Sequence, residues 1–79
     1  MTREEVMEQM IEFAAMAFGK DAAGINENTD IAEELGAQSL QRVAMAASIE
    51  NEFDVMVPVA RFANYKTIGD LVDFVMDEM

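Results

Sequence analysis

The sequence predicts an all-α fold, a small bundle of three long helices and one short helix with a long first loop. Two Thr-x-x-acid signatures, Thr2-Arg3-Glu4-Glu5 and Thr67-Ile68-Gly69-Asp70, each stand before apolar residues at helical spacing. A third such stripe begins at Ser39. The 79 residues are 52% apolar, too many for a disordered chain of this acidity. One domain spanning residues 1–79 is therefore expected. A chain this short buries only about 60–65% of its unfolded surface, so its core must be well filled.

In chain order, Thr2 caps a first helix over residues 3–18, whose stripe is Val6, Met10, Phe13, Ala14 and Ala17, and Gly19 ends it. Lys20 to Thr29 is polar, holds Gly24, Asn26 and Asn28, and reads as an ordered loop pinned by Ile25. Such a loop is long for so small a domain. A short turn from Asp30 to Leu35 closes at Gly36. Ser39 to Phe53 forms the second long helix on Leu40, Val43, Ala46, Ala47, Ile49 and Phe53. Pro58 suits the first turn of the short helix, with Phe62 and Tyr65 as inward anchors. Thr67 opens the last helix, which carries Ile68, Leu71, Val72 and Val75 and reaches about Asp77.

Composition removes several kinds of chemistry. The chain has no cysteine and no histidine, which excludes disulfides, thiolate nucleophiles, Cys/His zinc sites and His-dependent triads. Sixteen acids against five bases leave a net charge of −11, which repels nucleic-acid backbones and anionic lipid heads. Apolar runs such as Phe13 to Phe18 are too short for a transmembrane segment. The start, Met1-Thr2-Arg3-Glu4-Glu5, has no apolar stretch after a basic one, so a cytoplasmic protein is expected. A calcium loop needs oxygen ligands at its first, third and fifth positions, Gly at the sixth and Glu at the twelfth. Asn26, Asn28 and Asp30 meet the first three, but Ile31 and Ala37 stand at the other two. No metal site is expected. No pair of carboxylates is singled out for acid–base work, and Lys20 and Lys66 have no special spacing to Ser39 that would make a hydrolase.

The informative segment is Leu35-Gly36-Ala37-Gln38-Ser39-Leu40. Ser39 lies at or just inside a helix start. It can act as a plain N-cap, although a capping box would want Glu or Gln where Arg42 stands. Equally, a helix start gathers unpaired amides and positive dipole, which favour a phosphodiester on that hydroxyl. Local physics leaves both readings open.

From Asn28 to Met76 the chain resembles an acyl carrier protein. The resemblance rests on Leu35-Gly36-Ala37-x-Ser39-Leu40, Val43, Ile49-Glu50-Asn51-Glu52-Phe53-Asp54, Val57-Pro58 and Thr67-Ile68, in a chain of matching length and helical frame. It implies that a phosphopantetheinyl transferase places 4′-phosphopantetheine from coenzyme A on Ser39, flanked by Gln38 and Leu40. The arm's thiol then holds acyl groups as thioesters for fatty-acid, polyketide or specialised lipid biosynthesis. A chain without cysteine would thereby import its sulfur. The protein would be no enzyme itself, but a monomer serving a ketosynthase, acyltransferase or acyl ligase. The alternative is a helical adaptor of the same fold in which Ser39 only caps its helix.

The resemblance also implies a cavity for the acyl chain beside Ser39, bordered by Leu40, Val43, Ala47, Val57, Phe62, Tyr65 and Ile68. Eight methionines suit such a repacking interior. A partner-recognition face would comprise Gln41, Arg42, Ala44, Met45, Glu50, Val59 and Arg61. Here the chain departs from the fatty-acid pattern. Gln38 replaces the usual Asp before the serine, and Gln41, Ala44 and Asn51 stand where acids are usual. Only Glu50 and Glu52 are acidic between Ser39 and Phe53. Charge on such a face governs encounter rate and partner choice, so its loss implies dedicated partners.

Overall fold

Hydrogen bonds to backbone amides set where the helices begin. The computed structural model describes residues 1–36 and 38–79; Ala37, within the Leu35–Leu40 motif, lies outside the described residues. Its long helices are α1 (Arg3–Phe18), α2 (Ser39–Phe53) and α3 (Ile68–Glu78). At the start of α1 the Glu5 amide donates to Thr2 Oγ1 at 3.2 Å, and the Thr2 amide donates to Glu5 Oε1 at 2.9 Å. This reciprocal pair is the expected capping box. The Thr2 hydrogen bonds also hold the Glu5 carboxyl below the usual range.

The long loop is ordered by its own side chains. Asp21 accepts from the Ala23 amide at 3.0 Å and opens a 3₁₀ turn, Ala22–Gly24. Thr29 is buried, and its hydroxyl accepts from the Asn26 amide at 2.9 Å. Asp30 caps the next turn, Ile31–Leu35, by accepting from Glu33 at 2.9 Å. That turn is one residue wider than an α turn, since the Gly36 amide reaches the Ile31 carbonyl at 2.8 Å.

The same loop clamps the start of α3. Ile68 donates to the Thr29 carbonyl at 3.1 Å, Gly69 to that of Glu27 at 2.9 Å, and Asp70 to Thr67 Oγ1 at 3.2 Å. Ile31 returns a bond to the Lys66 carbonyl at 2.9 Å, making an isolated antiparallel bridge between Asp30 and Thr67. Arg3 adds a tie on the outside, donating to Asp73 at 2.9 Å and Glu27 at 3.1 Å. Asp73 first, and then Glu27, raise the Arg3 pKa further above its usual value.

Packing follows i, i+4 ladders. α1 packs on both α2 and α3, and α2 also packs on the short helix, Val59–Asn64. On α1 the buried stripe is Val6, Met10, Ala14 and Phe18, so Phe18 turns inward and the expected Ala17 is only half-buried. On α2 it is Met45, Ile49 and Phe53. Leu40, Val43 and Ala47, expected inside, are exposed; Leu40 retains 81% of its accessibility and Val43 49%. The ladder of larger side chains sets the phase of α2, and residues 40, 43 and 47 share another side of that helix. The short helix is 3₁₀, with the Arg61 amide donating to the Pro58 carbonyl at 2.9 Å. Pro58 therefore precedes it in extended backbone and is not in its first turn.

Gly69 tests the clamp. An added Cβ would meet the Glu27 carbonyl oxygen at 3.0 Å. Moving that oxygen strains the bond it accepts, which outweighs the roughly 0.5–1 kcal/mol that Ala gains over Gly in a helix. Gly69→Ala should lower the unfolding free energy in urea by about 1–2 kcal/mol. A variant as stable as the parent would mean that the loop is not held there.

Candidate functional site

The start of α2 is built differently from the other two. Gln38 occupies the cap position in extended backbone (φ −71°, ψ 129°) and makes no side-chain cap bond. Ser39 is the first helical residue. Its side chain is exposed, and among the described residues its hydroxyl makes no hydrogen bond. The cap position is thus held by Gln38 and not by Ser39. The first intrahelical bond runs from the Arg42 amide to the Gln38 carbonyl at 3.2 Å. Helix geometry leaves the amides of Ser39, Leu40 and Gln41 without intrahelical acceptors. No acid stands in this first turn. An exposed hydroxyl thus sits against a cluster of donors and the positive end of a helix dipole.

Gly36 brings the chain to this point. Its φ of 145° is disfavoured for residues with a side chain, and an added Cβ would meet Gln41 Oε1 at 3.2 Å and the Phe18 ring at 3.6 Å. Glycine here lets the loop pass close against α1 and α2 just before Ser39. That is the physical content of Leu-Gly in the motif.

The residues expected around Ser39 separate into three environments. Val57, Phe62 and Ile68 are buried in the common core. Tyr65 is half-buried against Phe74, with ring centroids 5.2 Å apart, and borders an open depression of about 590 Å³ with Asp70, Asp73 and Phe74. Val43 and Ala47 face solvent beside Leu40. Among the described residues, neither this depression nor those beside Ile25 and beside Met7 is lined by Ser39.

The expected partner face is likewise re-sorted. Ala44, Glu50 and Arg61 are exposed, while Gln41, Arg42 and Val59 are half-buried. Met45 is fully buried (0% accessible) and cannot meet a partner, because it begins the Met45–Ile49–Phe53 ladder. In its place the surface shows the apolar ridge Leu40, Val43 and Ala47. The i+4 spacing of Met45, Ile49 and Phe53 was the sequence signal for this phase. Arg61 lies over the Phe74 ring, 5.0 Å from its centroid.

An exposed hydroxyl at an uncapped helix start is chemically able to bear a phosphodiester. Residues 8–75 match a family described as "Phosphopantetheine attachment site". The chain is similar to an acyl carrier protein of Lactobacillus acidophilus, 31% identical over 95% of this chain and 94% of the relative. It is similar to one of Thermotoga maritima, at 30% over 94% of this chain and 91% of the relative. A third, of Exiguobacterium sibiricum, is 28% identical over 95% of both chains.

A cap placed on α2 should be stabilising. Gln38→Asp offers the free amides an acceptor and should raise the unfolding free energy by about 1 kcal/mol, read from urea titration of the unmodified chain. An unchanged midpoint would mean that those amides already have partners.

Proposed function

The chain belongs to the acyl carrier protein family, whose prosthetic group is 4′-phosphopantetheine, and from that membership we propose that Ser39 is the attachment residue. The observation that carries the proposal is the uncapped start of α2 with an exposed serine as its first residue. On transfer from coenzyme A, the Ser39 oxygen would bond to the phosphorus nearer pantetheine as the pyrophosphate P–O bond breaks, the hydroxyl proton passing to a base of the transferase and adenosine 3′,5′-bisphosphate departing. The new negative charge then meets the amides of Ser39, Leu40 and Gln41. The bound arm supplies a thiol that holds acyl groups as thioesters. Gln38 and Leu40 flank the attachment point, and Gln38 brings no charge to compete with the phosphodiester.

In this reading residues 1–79 act as one monomeric, cytoplasmic carrier domain and not as a catalyst. The partners are a phosphopantetheinyl transferase and acyl-processing enzymes, such as a ketosynthase, acyltransferase or acyl ligase, of fatty-acid, polyketide or specialised lipid biosynthesis. The near absence of acids along α2 favours dedicated partners that dock by apolar contact and hydrogen bonding. Leu40, Val43, Ala44 and Ala47 supply such a surface, with Gln41, Glu50, Val59 and Arg61 around it.

Incubation with coenzyme A and a promiscuous transferase should raise the intact mass by one phosphopantetheine, and Ser39→Ala should abolish the gain. Failure with several unrelated transferases would favour the helical adaptor. The partner reading has its own measurement: binding to basic-faced enzymes of fatty-acid synthesis should be weak and nearly independent of salt. Ordinary, steeply salt-dependent affinity would overturn it.

A further inference from the structure

Among the described residues, Arg42 is a cation set in an apolar seam. Arg42 continues the buried stripe of α2 by one turn, standing three residues before Met45 in the ladder that runs on to Ile49 and Phe53. Its guanidinium carbon lies 5.8 Å from the centroid of the Phe62 ring, and Phe62 is only 1% accessible. The side chain therefore occupies the seam between α2 and the short helix. Its Nε is buried, and among the described residues it has no hydrogen-bond partner. Arg3, by contrast, is satisfied by two carboxylates. No acid stands in Val59–Asn64, and the acids of α2, Glu50 and Glu52, lie two or more turns further along the helix. A buried donor on a permanent cation, left unpaired, is costly to the fold.

The missing acceptor has a natural source. Residues three apart on a helix are neighbours on its surface, and helical side chains lean toward the N-terminus. Arg42 thus leans back over the turn that bears Ser39. We propose that Arg42 is a positioning residue that binds an oxygen anion carried by the arm on Ser39 and so holds the arm along the seam between α2 and the short helix. This inference rests on the reading of Ser39 as the attachment residue. Two oxygen anions qualify: the phosphodiester at the root of the arm, and a carboxylate on the acyl group at its tip. Arginine matches either one through paired N–H donors.

The Nε–H resonance of Arg42 reports on this directly in the ¹⁵N-labelled full chain. It is followed in the unmodified protein, the arm-bearing protein with a free thiol, and its butyryl and succinyl forms. The signal should move downfield, and its exchange with water should slow by roughly tenfold or more, as a hydrogen bond to a charged group imposes. A change on attachment of the arm assigns the phosphodiester; a change confined to the succinyl form assigns the carboxylate. No change in any arm-bearing form overturns the proposal. Arg42→Met keeps the stripe apolar, and in that variant the ³¹P resonance of the arm should lose the shift seen in the parent or in Arg42→Lys. Where attachment of the arm shifts the Arg42 signal, a ³¹P signal indifferent to all three side chains would also overturn it; where only the succinyl form does, a succinyl carboxylate ¹³C signal unchanged by Arg42→Met would. Intact mass separates this from the Ser39 reading. If no arm is taken up, free 4′-phosphopantetheine titrated into the unmodified chain must still shift the Arg42 signal saturably, and a flat titration overturns the proposal.

Discussion

Unpaired amides at helix starts are the constraint on which the rest of this structure depends. A chain of 79 residues has little core with which to offset buried polar groups left unmade, so each helix start must be provided for. α1 provides for itself with Thr2 and Glu5. α3 draws on two sources, its own Thr67 and the carbonyls of Glu27 and Thr29 in the distant loop. That arrangement explains why the loop is long yet ordered. It must reach across the bundle to supply two acceptors, and buried Ile25, Thr29 and Ile31 keep it there. α2 alone among the three, within the described residues, has no side-chain cap.

Order in the loop and openness at α2 are linked through the chain between them. The turn Ile31–Leu35 is tied to Lys66 through the Ile31 amide, and Gly36 then passes within reach of Phe18 and Gln41. The start of α2 is thereby placed by contacts on α1 and α3 and does not need a cap to locate it. A group attached at Ser39 would project from a fixed point, which a carrier requires if its partners are to find the cargo in a constant direction. The fold sets the origin of the arm, and the arm itself supplies the reach.

Features governed by neighbouring residues were legible in the sequence. Thr2, Thr67 and Gly19 mark starts and stops through bonds that span a few residues, and the helix bounds at Arg3, Phe18 and Ile68 follow from them. The family was legible because its motif stands in a helical frame of the right length. The phase of α2 was not. The expected stripe joined Leu40, Val43 and Ala47 to Ala46, Ile49 and Phe53. Leu40, Val43 and Ala47 are exposed, while Ala46 packs on the core beside Met45, Ile49 and Phe53, and apolar periodicity alone does not rank the two sides. Only the helices packed against α2 decide, and they favour the larger residues, whose burial is worth more. Met45 was thereby moved inward, and the supposed cavity lining was divided between core and surface. The resemblance places Arg42 on the partner-recognition face, whereas its stem is received by Phe62 and the residue is half-buried, because a long cationic side chain can lay its stem along an aromatic floor.

Two local rules are broken at the start of α2, both within residues 38–42. Gln38 fails to cap α2, and Arg42 places a cation on the buried stripe. Either alone would be an ordinary imperfection, since natural chains tolerate a few. Their coincidence within residues 38–42 is harder to attribute to drift. Each leaves donors unsatisfied: the amides of Ser39, Leu40 and Gln41 in one case and the Nε of Arg42 in the other. Elsewhere the acids of α1, the loop and α3 would readily supply acceptors, but none stands in the first turn of α2. The chain as a whole carries −11, yet this turn is donor-rich and free of acid. A region so arranged favours an anion, which is the electrostatic condition a phosphodiester on Ser39 would fulfil.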